Sequence, residues 1–80
     1  MKYFVYILQL ADNTFYKGLT NNLDRRFQEH INGKCCSTKH KRPLKLIYKE
    51  ECGDRKLARK REKYWKSGIG REMLKKLLFN

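Results

Sequence analysis

Residues 3–19, YFVYILQLADNTFYKGL, decide the fold. Tyr3 to Leu10 is a run of aromatic and β-branched residues that stops at Ala11-Asp12-Asn13, the composition of a strand running into a turn. Phe15 to Leu19 then reads as the return strand of a hairpin. A three-residue loop at Ala11-Asp12-Asn13 would put Tyr6 and Tyr16 on one sheet face, because side chains alternate along a strand. Gly18, two residues after Tyr16, marks a close backbone approach or a bulge.

Working outward, Thr20-Asn21-Asn22-Leu23-Asp24 opens a helix, with Asn21 as its cap and Asp24 at its positive end. That helix is expected to reach Asn32 and stop at Gly33. Leu23, Phe27 and Ile31 recur every four residues as the stripe that faces the sheet. Lys34 to Arg42 is basic, lacks periodicity and ends at Pro43, which reads as a solvated loop. Leu44 to Lys49 is a third strand. Asp54 caps a second helix through Lys66, closed by Ser67-Gly68, and a short third helix spans Arg71 to Phe79. The order β-β-α-β-α-α predicts an α+β fold, a three-stranded antiparallel sheet flanked by helices. At 80 residues there is room for one domain, residues 1–80, with a modest core.

Charge narrows the function. Twenty Lys and Arg against eight acids give a formal net charge of +12, beyond the magnitude of about 2–8 that solubility explains in a small domain. The expected partner is a polyanion, nucleic acid before an anionic membrane surface. Cys35, Cys36 and Cys52 are odd in number and lack Cys-x-x-Cys spacing, which speaks against a secreted disulfide framework and a zinc knuckle and for reduced thiols in the cytoplasm. The apolar start, Met1 to Leu10, is interrupted by Lys2 and Gln9, too short to span a membrane and without a signal-peptide layout.

A few polar residues sit where a surface does not explain them. On the first helix Arg25 points away from the apolar stripe, whereas Arg26 and His30 lie on its shoulder one turn apart and should meet at the core edge. Arg26 extending over apolar surface beside a buried, satisfied histidine would account for them equally. The second helix turns Leu57, Ala58, Tyr64 and Trp65 inward, and Glu62 is its one acid after the cap, among Arg55, Lys56, Arg59, Lys60, Arg61, Lys63 and Lys66. Glu62 is either half of an i,i+4 pair with Lys66 or a ligand for a hard cation. Tyr6 and Tyr16 are core tyrosines with partnered hydroxyls, or site residues.

Together these positions resemble the GIY-YIG nuclease superfamily. Val5-Tyr6-Ile7 stands at the first motif and keeps its tyrosine; Phe15-Tyr16-Lys17-Gly18 stands at the second and keeps Tyr and Gly, with Lys17 in place of the central Ile. Arg26 matches the helix arginine, His30 the position four further on, and Ala58 to Glu62 the Ala-x-x-x-Glu stretch carrying the metal-binding glutamate. Gly18 to Arg26 is similar to the Gly-x-Thr-Asn-x-Leu-x-Arg-Arg pattern of small stand-alone members, as are Arg42-Pro43-Leu44 and Arg61-Glu62-Lys63, so the resemblance covers nearly the whole chain. Two positions depart: Leu19 replaces a lysine that some relatives carry after the motif glycine, and Leu74 falls where repair nucleases carry an asparagine, for which Asn80 is the one substitute nearby.

The resemblance implies a metal-dependent endonuclease that hydrolyses phosphodiester bonds, of DNA rather than RNA. Glu62 would hold Mg²⁺ or Mn²⁺ together with waters, Arg26 would stabilise transition-state charge, and Tyr6 would orient or deprotonate the attacking water. Tyr16 would hydrogen-bond the phosphate, and His30 would assist proton transfer. Lys17, Lys39, Lys41, Arg42, Arg59 and Lys63 are the candidate nucleic-acid contacts. The rival reading is a non-catalytic nucleic-acid-binding module on the same scaffold. A subunit that docks a protein partner onto DNA is a third.

Overall fold

The computed structural model describes residues 2–79, the side chain of Phe79 apart; Asn80 lies outside the described residues. Its elements are β1 (Tyr3–Gln9), β2 (Phe15–Thr20), α1 (Leu23–Ile31), β3 (Lys45–Cys52), α2 (Arg55–Lys66) and α3 (Gly68–Phe79). The three strands pair antiparallel in the order β2-β1-β3, giving the expected α+β architecture. The hairpin register places Tyr6 opposite Gly18 and Leu8 opposite Tyr16. Its loop is closed by hydrogen bonds from Leu10 N to Thr14 O and from Asn13 N to Leu10 O, with Asn13 in the left-handed region at φ 66°. Asparagine tolerates that region, as a three-residue hairpin requires.

The central strand is covered on both faces, which is why Val5-Tyr6-Ile7-Leu8 reads as a continuous apolar run. Val5 and Ile7 pack with Ala58, Trp65 and Leu74 beneath α2 and α3. Tyr6, Leu8 and Leu10 pack with Tyr16, Leu23, Phe27, Leu44 and Leu46 on the α1 side. Each such aliphatic side chain contributes about 1.5–3 kcal/mol by leaving water. Between β1 and β3 the register shifts after Ile7, so that Ile47 is the extra residue of a bulge.

Several boundaries differ from the sequence expectation, each for a local reason. Asn22, not Asn21, caps α1, its side chain accepting from Arg25 N; the Thr20 hydroxyl accepts from Asn22 N and uses one more residue before the helix. At the other end Gly33, at φ 76°, donates to His30 O while Lys34 donates to Glu29 O, the paired bonds of a Schellman stop. β3 runs three residues beyond Lys49, because Tyr3, Phe4 and Val5 offer it partners. α3 starts at Gly68: Ser67 turns the chain and then caps, its hydroxyl accepting from Gly70 N and its carbonyl from Arg71 N. Gly70 touches the backbone of Tyr64 and Trp65, which no larger residue would permit. Ile31 and Leu57, expected inside, are exposed. The 34–42 segment is not simply solvated: Cys35 and Thr38 are buried, and Lys41 O accepts from Ala11 N. Among the described residues no helix is long and apolar enough to cross a membrane.

Candidate functional site

Strand alternation aims Tyr6 and Tyr16 at the α1 face, and the missing side chain of Gly18 makes room for them. A Cβ there would stand 2.6 Å from the Tyr6 hydroxyl oxygen and 3.1 Å from the Tyr16 ring. The Tyr6 ring therefore lies across the backbone of the neighbouring strand, with 1% of the residue exposed. Above it, α1 contributes Arg26 and His30 from successive turns, and the segment after α1 contributes Thr38.

These groups form one buried chain of hydrogen bonds. The Tyr6 hydroxyl is 3.0 Å from His30 Nε2, and His30 Nδ1 is 2.9 Å from Thr38 Oγ1, with His30 and Thr38 fully buried. The Arg26 charge acts on the same Tyr6 hydroxyl, and its guanidinium pairs with Glu29 at 3.1 Å. Arginine can only donate, so with the Arg26 cation acting on its oxygen the Tyr6 hydroxyl is best placed to give its own proton to His30 Nε2. His30 is then the Nδ1–H tautomer and donates to Thr38. The rings of Tyr6 and Tyr16 meet His30 edge-on, at centroid separations of 5.8 and 5.0 Å. Tyr16 is half-buried and its hydroxyl has no protein partner among the described residues, which leaves it available to a ligand.

Burial sets the protonation states. Loss of hydration pushes the Tyr6 phenol up from 10.0 to about 12, against the opposing pull of the Arg26 charge. Burial, followed by the Arg26 charge, holds His30 below its ordinary 6.5, while Glu29 works weakly the other way. At neutral pH the pair is a phenol beside a neutral imidazole, backed by a permanent cation. Burial thus opposes the phenolate that direct deprotonation of water by Tyr6 would need.

Among the described residues Glu62 has no hydrogen bond or ion pair to this hydrogen-bonded chain. It lies on α2, the helix covering the other sheet face, where its side chain is 19% exposed and pairs with Lys66 at 3.7 Å. The ion pair expected of a surface helix is therefore formed, yet around a carboxylate that is largely shielded. Among the described residues no three His, Cys, Asp or Glu gather as a ready metal cluster. A lone oxygen ligand still suits Mg²⁺, which keeps several waters and takes the rest of its shell from substrate phosphate.

The basic candidates divide. Lys39, Arg59 and Lys63 are exposed. Lys41 pairs with Asp12 at 3.3 Å. Arg42 donates to Lys39 O and Ile31 O, closing the end of α1 over Gly33, and with Lys39, His40, Ile31, Pro43 and Leu44 it lines an open pocket. Lys17 points to the α3 side, away from Tyr6.

Sequence reasoning missed Thr38, hidden in a basic run with no period, and Glu50, whose carboxylate accepts from Trp65 Nε1 at 2.7 Å and Arg61 Nε at 3.0 Å. The buried Thr38 carried no signal. The signal for Glu50 lies in Trp65, because a core tryptophan needs an acceptor for its indole N–H.

The family model described as the GIY-YIG catalytic domain matches residues 2–75. A UPF0213 protein of Limosilactobacillus reuteri is 44% identical over 80 residues, covering 96% of this chain and 83% of that protein. The UPF0213 protein of Desulfotalea psychrophila is 47% identical over 62 residues, and YhbQ of Escherichia coli 38% over 61. The matched segments span 56% and 61% of those two relatives' own lengths. The solution NMR structure of a UPF0213 protein from Bacillus halodurans superposes with a TM-score of 0.61 at 31% identity, covering 98% of this chain and 86% of that one.

Proposed function

Because the chain belongs to the GIY-YIG catalytic-domain family, we propose that it is a divalent-metal-dependent endonuclease that hydrolyses phosphodiester bonds of DNA. The observation that carries this reading is the buried chain Arg26–Tyr6–His30–Thr38. A fold needs no such arrangement of a phenol and a neutral imidazole with a half-exposed guanidinium at its edge, and burying the two polar groups is costly.

Arg26, still partly open to solvent, meets the scissile phosphate and stabilises the charge that grows on its oxygens in the transition state. Tyr6 holds Arg26 and His30 in register. Tyr16 donates its free hydroxyl to a phosphate oxygen. Proton transfer runs as a relay that avoids a free phenolate: the attacking water gives a proton to the Tyr6 oxygen as the Tyr6 proton passes to His30 Nε2. The imidazolium so formed keeps its Nδ1–H on Thr38. Glu62 and water would hold Mg²⁺ or Mn²⁺, which when bound supplies Lewis-acid stabilisation of the phosphate and leaving group. Lys39, Lys41, Arg42, Arg59 and Lys63 supply contacts along the backbone of the nucleic acid.

One observation favours the alternative, a nucleic-acid-binding module without turnover: Leu74, at the position where repair nucleases carry an asparagine, is 3% exposed and belongs to the core. The deciding experiment incubates labelled single-strand, duplex, flap and junction DNA, and matching RNA, with and without Mg²⁺ or Mn²⁺. Cleavage that needs metal and falls about 100-fold to 1000-fold in Arg26→Ala, but barely in Arg25→Ala, is the expected result. Glu62→Gln should remove the metal response while leaving metal-free binding intact. No cleavage of any substrate at millimolar metal leaves the binding module.

A further inference from the structure

On the face turned away from Tyr6, β2 and α3 enclose a cleft of about 430 Å³. Phe15 and Leu74 form its apolar wall and are anchored in the core beneath α2 and α3. Lys17, Arg71 and Lys75 line the same space, and among the described residues none of the three has an acidic partner. Lys17 is half-buried there, in the middle of the second motif where the resemblance calls for an apolar residue. Burial, Arg71 and Lys66 together press its ammonium below the ordinary lysine value. Cations gathered without a counter-charge in a partly dry cleft repel one another, and an incoming anion removes that cost. The apolar wall beside them selects among anions: phosphate alone would leave Phe15 and Leu74 unused, whereas a phosphate carrying a flat ring would use both halves.

We propose that this cleft is a nucleotide-binding site, taking a phosphate on Lys17 and Arg71 and a base against Phe15, and that it holds a part of the substrate strand remote from the bond at Arg26. The strand assignment rests on the nucleic-acid reading given above; the affinity for a nucleotide does not. The cleft and the Tyr6 chain lie on opposite faces of the sheet with β2, an edge strand, between them, so a strand occupying both bends around that edge.

Heteronuclear NMR titrations in chelator test this, with inorganic phosphate, thymidine monophosphate and a short thymidine single strand as probes, on the wild type and on Arg71→Gln/Lys75→Gln. The expected result is that the nucleotide and the strand both move the signals of Phe15, Lys17, Arg71 and Leu74, phosphate binds more weakly than either, and the double variant weakens both by about tenfold or more. The strand should bind more tightly than the nucleotide and should also move Arg26 and His30. Equal affinity for nucleotide and strand would overturn the strand assignment. Unmoved cleft signals, or a double variant that binds as well as the wild type, would overturn the site. A strand that moves only Arg26 and His30 sinks this proposal and spares the nuclease, whereas cleft binding without metal-dependent cleavage does the reverse.

Discussion

Thr38 is the residue on which the proposed relay turns, because it accepts the Nδ1 proton that His30 must carry when Tyr6 donates to Nε2. If Tyr6 donates to Nε2, then Nδ1–H must find an acceptor in a place closed to water, and Thr38 Oγ1 is that acceptor. Thr38→Val keeps the shape and removes it, so the unpaired N–H should cost about 1–3 kcal/mol of stability. The nitrogen resonances of His30 should change from a fixed Nδ1–H tautomer to a mixture, and metal-supported cleavage should drop with KM little altered. A wild-type His30 found as the Nε2–H tautomer would reverse the direction of the chain. The shifted groups also set the pH response of stability. His30, held below 6.5, contributes stability that is present above 6.5 and lost as pH falls through its lower folded value. Tyr6, raised to about 12, contributes stability that is present below 10 and lost as pH rises through about 12. Denaturant titrations of the wild type and Tyr6→Phe should differ by a constant offset from the lost bond to His30 below about pH 10, and by an amount that changes with pH only above it.

Between elements, the junction of β3 with α2 depends on one carboxylate. Glu50 receives the indole N–H of the buried Trp65 and the guanidinium of Arg61, which also lies over the Tyr64 ring at 4.8 Å. Glu50→Ala strands the Trp65 donor in the core and should cost about 1–3 kcal/mol, while Arg61→Ala, half open to solvent, should cost less than half of that. Urea midpoints of the two variants decide it, and an equal loss would mean that the Arg61 pair, not the Trp65 bond, holds the junction. This junction also marks how far the sequence can be read. The hairpin, the Asp54 cap and the Gly33 stop follow from local chemistry, whereas the α1 cap falls one residue later than the expected Asn21; the shared side of Arg26 and His30 follows from helix rotation. What the sequence hides is whatever depends on a distant partner. Glu50 looks like strand-end polarity until Trp65 is placed above it, and Thr38 looks like loop until His30 reaches it. Ser67 reads as the end of one helix, although the chain uses it to begin the next.

At the scale of the whole molecule, twenty Lys and Arg stand against eight acids. Among the described residues, ion pairs to Lys2, Arg26, Lys41, Arg61 and Lys66 engage five of the eight acids, and most of the cations left over lie on α2, along the 34–42 segment and on or beside α3, with Arg25, Lys45 and Lys49 elsewhere. Nucleic acid approaching such a surface is bound mainly through release of its condensed counterions, so affinity must fall with salt in proportion to the phosphates contacted. With about five contacts, log K against log salt on duplex DNA should descend with a slope of about −4 to −5, and on single strands of about −3.5. Lys39→Gln and Lys63→Gln, both exposed and without an acidic partner among the described residues, should each flatten the duplex slope by about 0.9 and weaken every sequence alike. Lys41→Gln should do less, because Asp12 already neutralises that ammonium and its removal frees a carboxylate near the DNA. Fluorescence of Trp65, or anisotropy of a labelled strand in chelator, measures all of these without cleavage. A slope near zero would mean that the net charge of +12 serves solubility alone. A normal slope that Lys39→Gln and Lys63→Gln leave unchanged would move the footprint away from α2 and the 34–42 segment, to the face where Lys17, Arg71 and Lys75 converge.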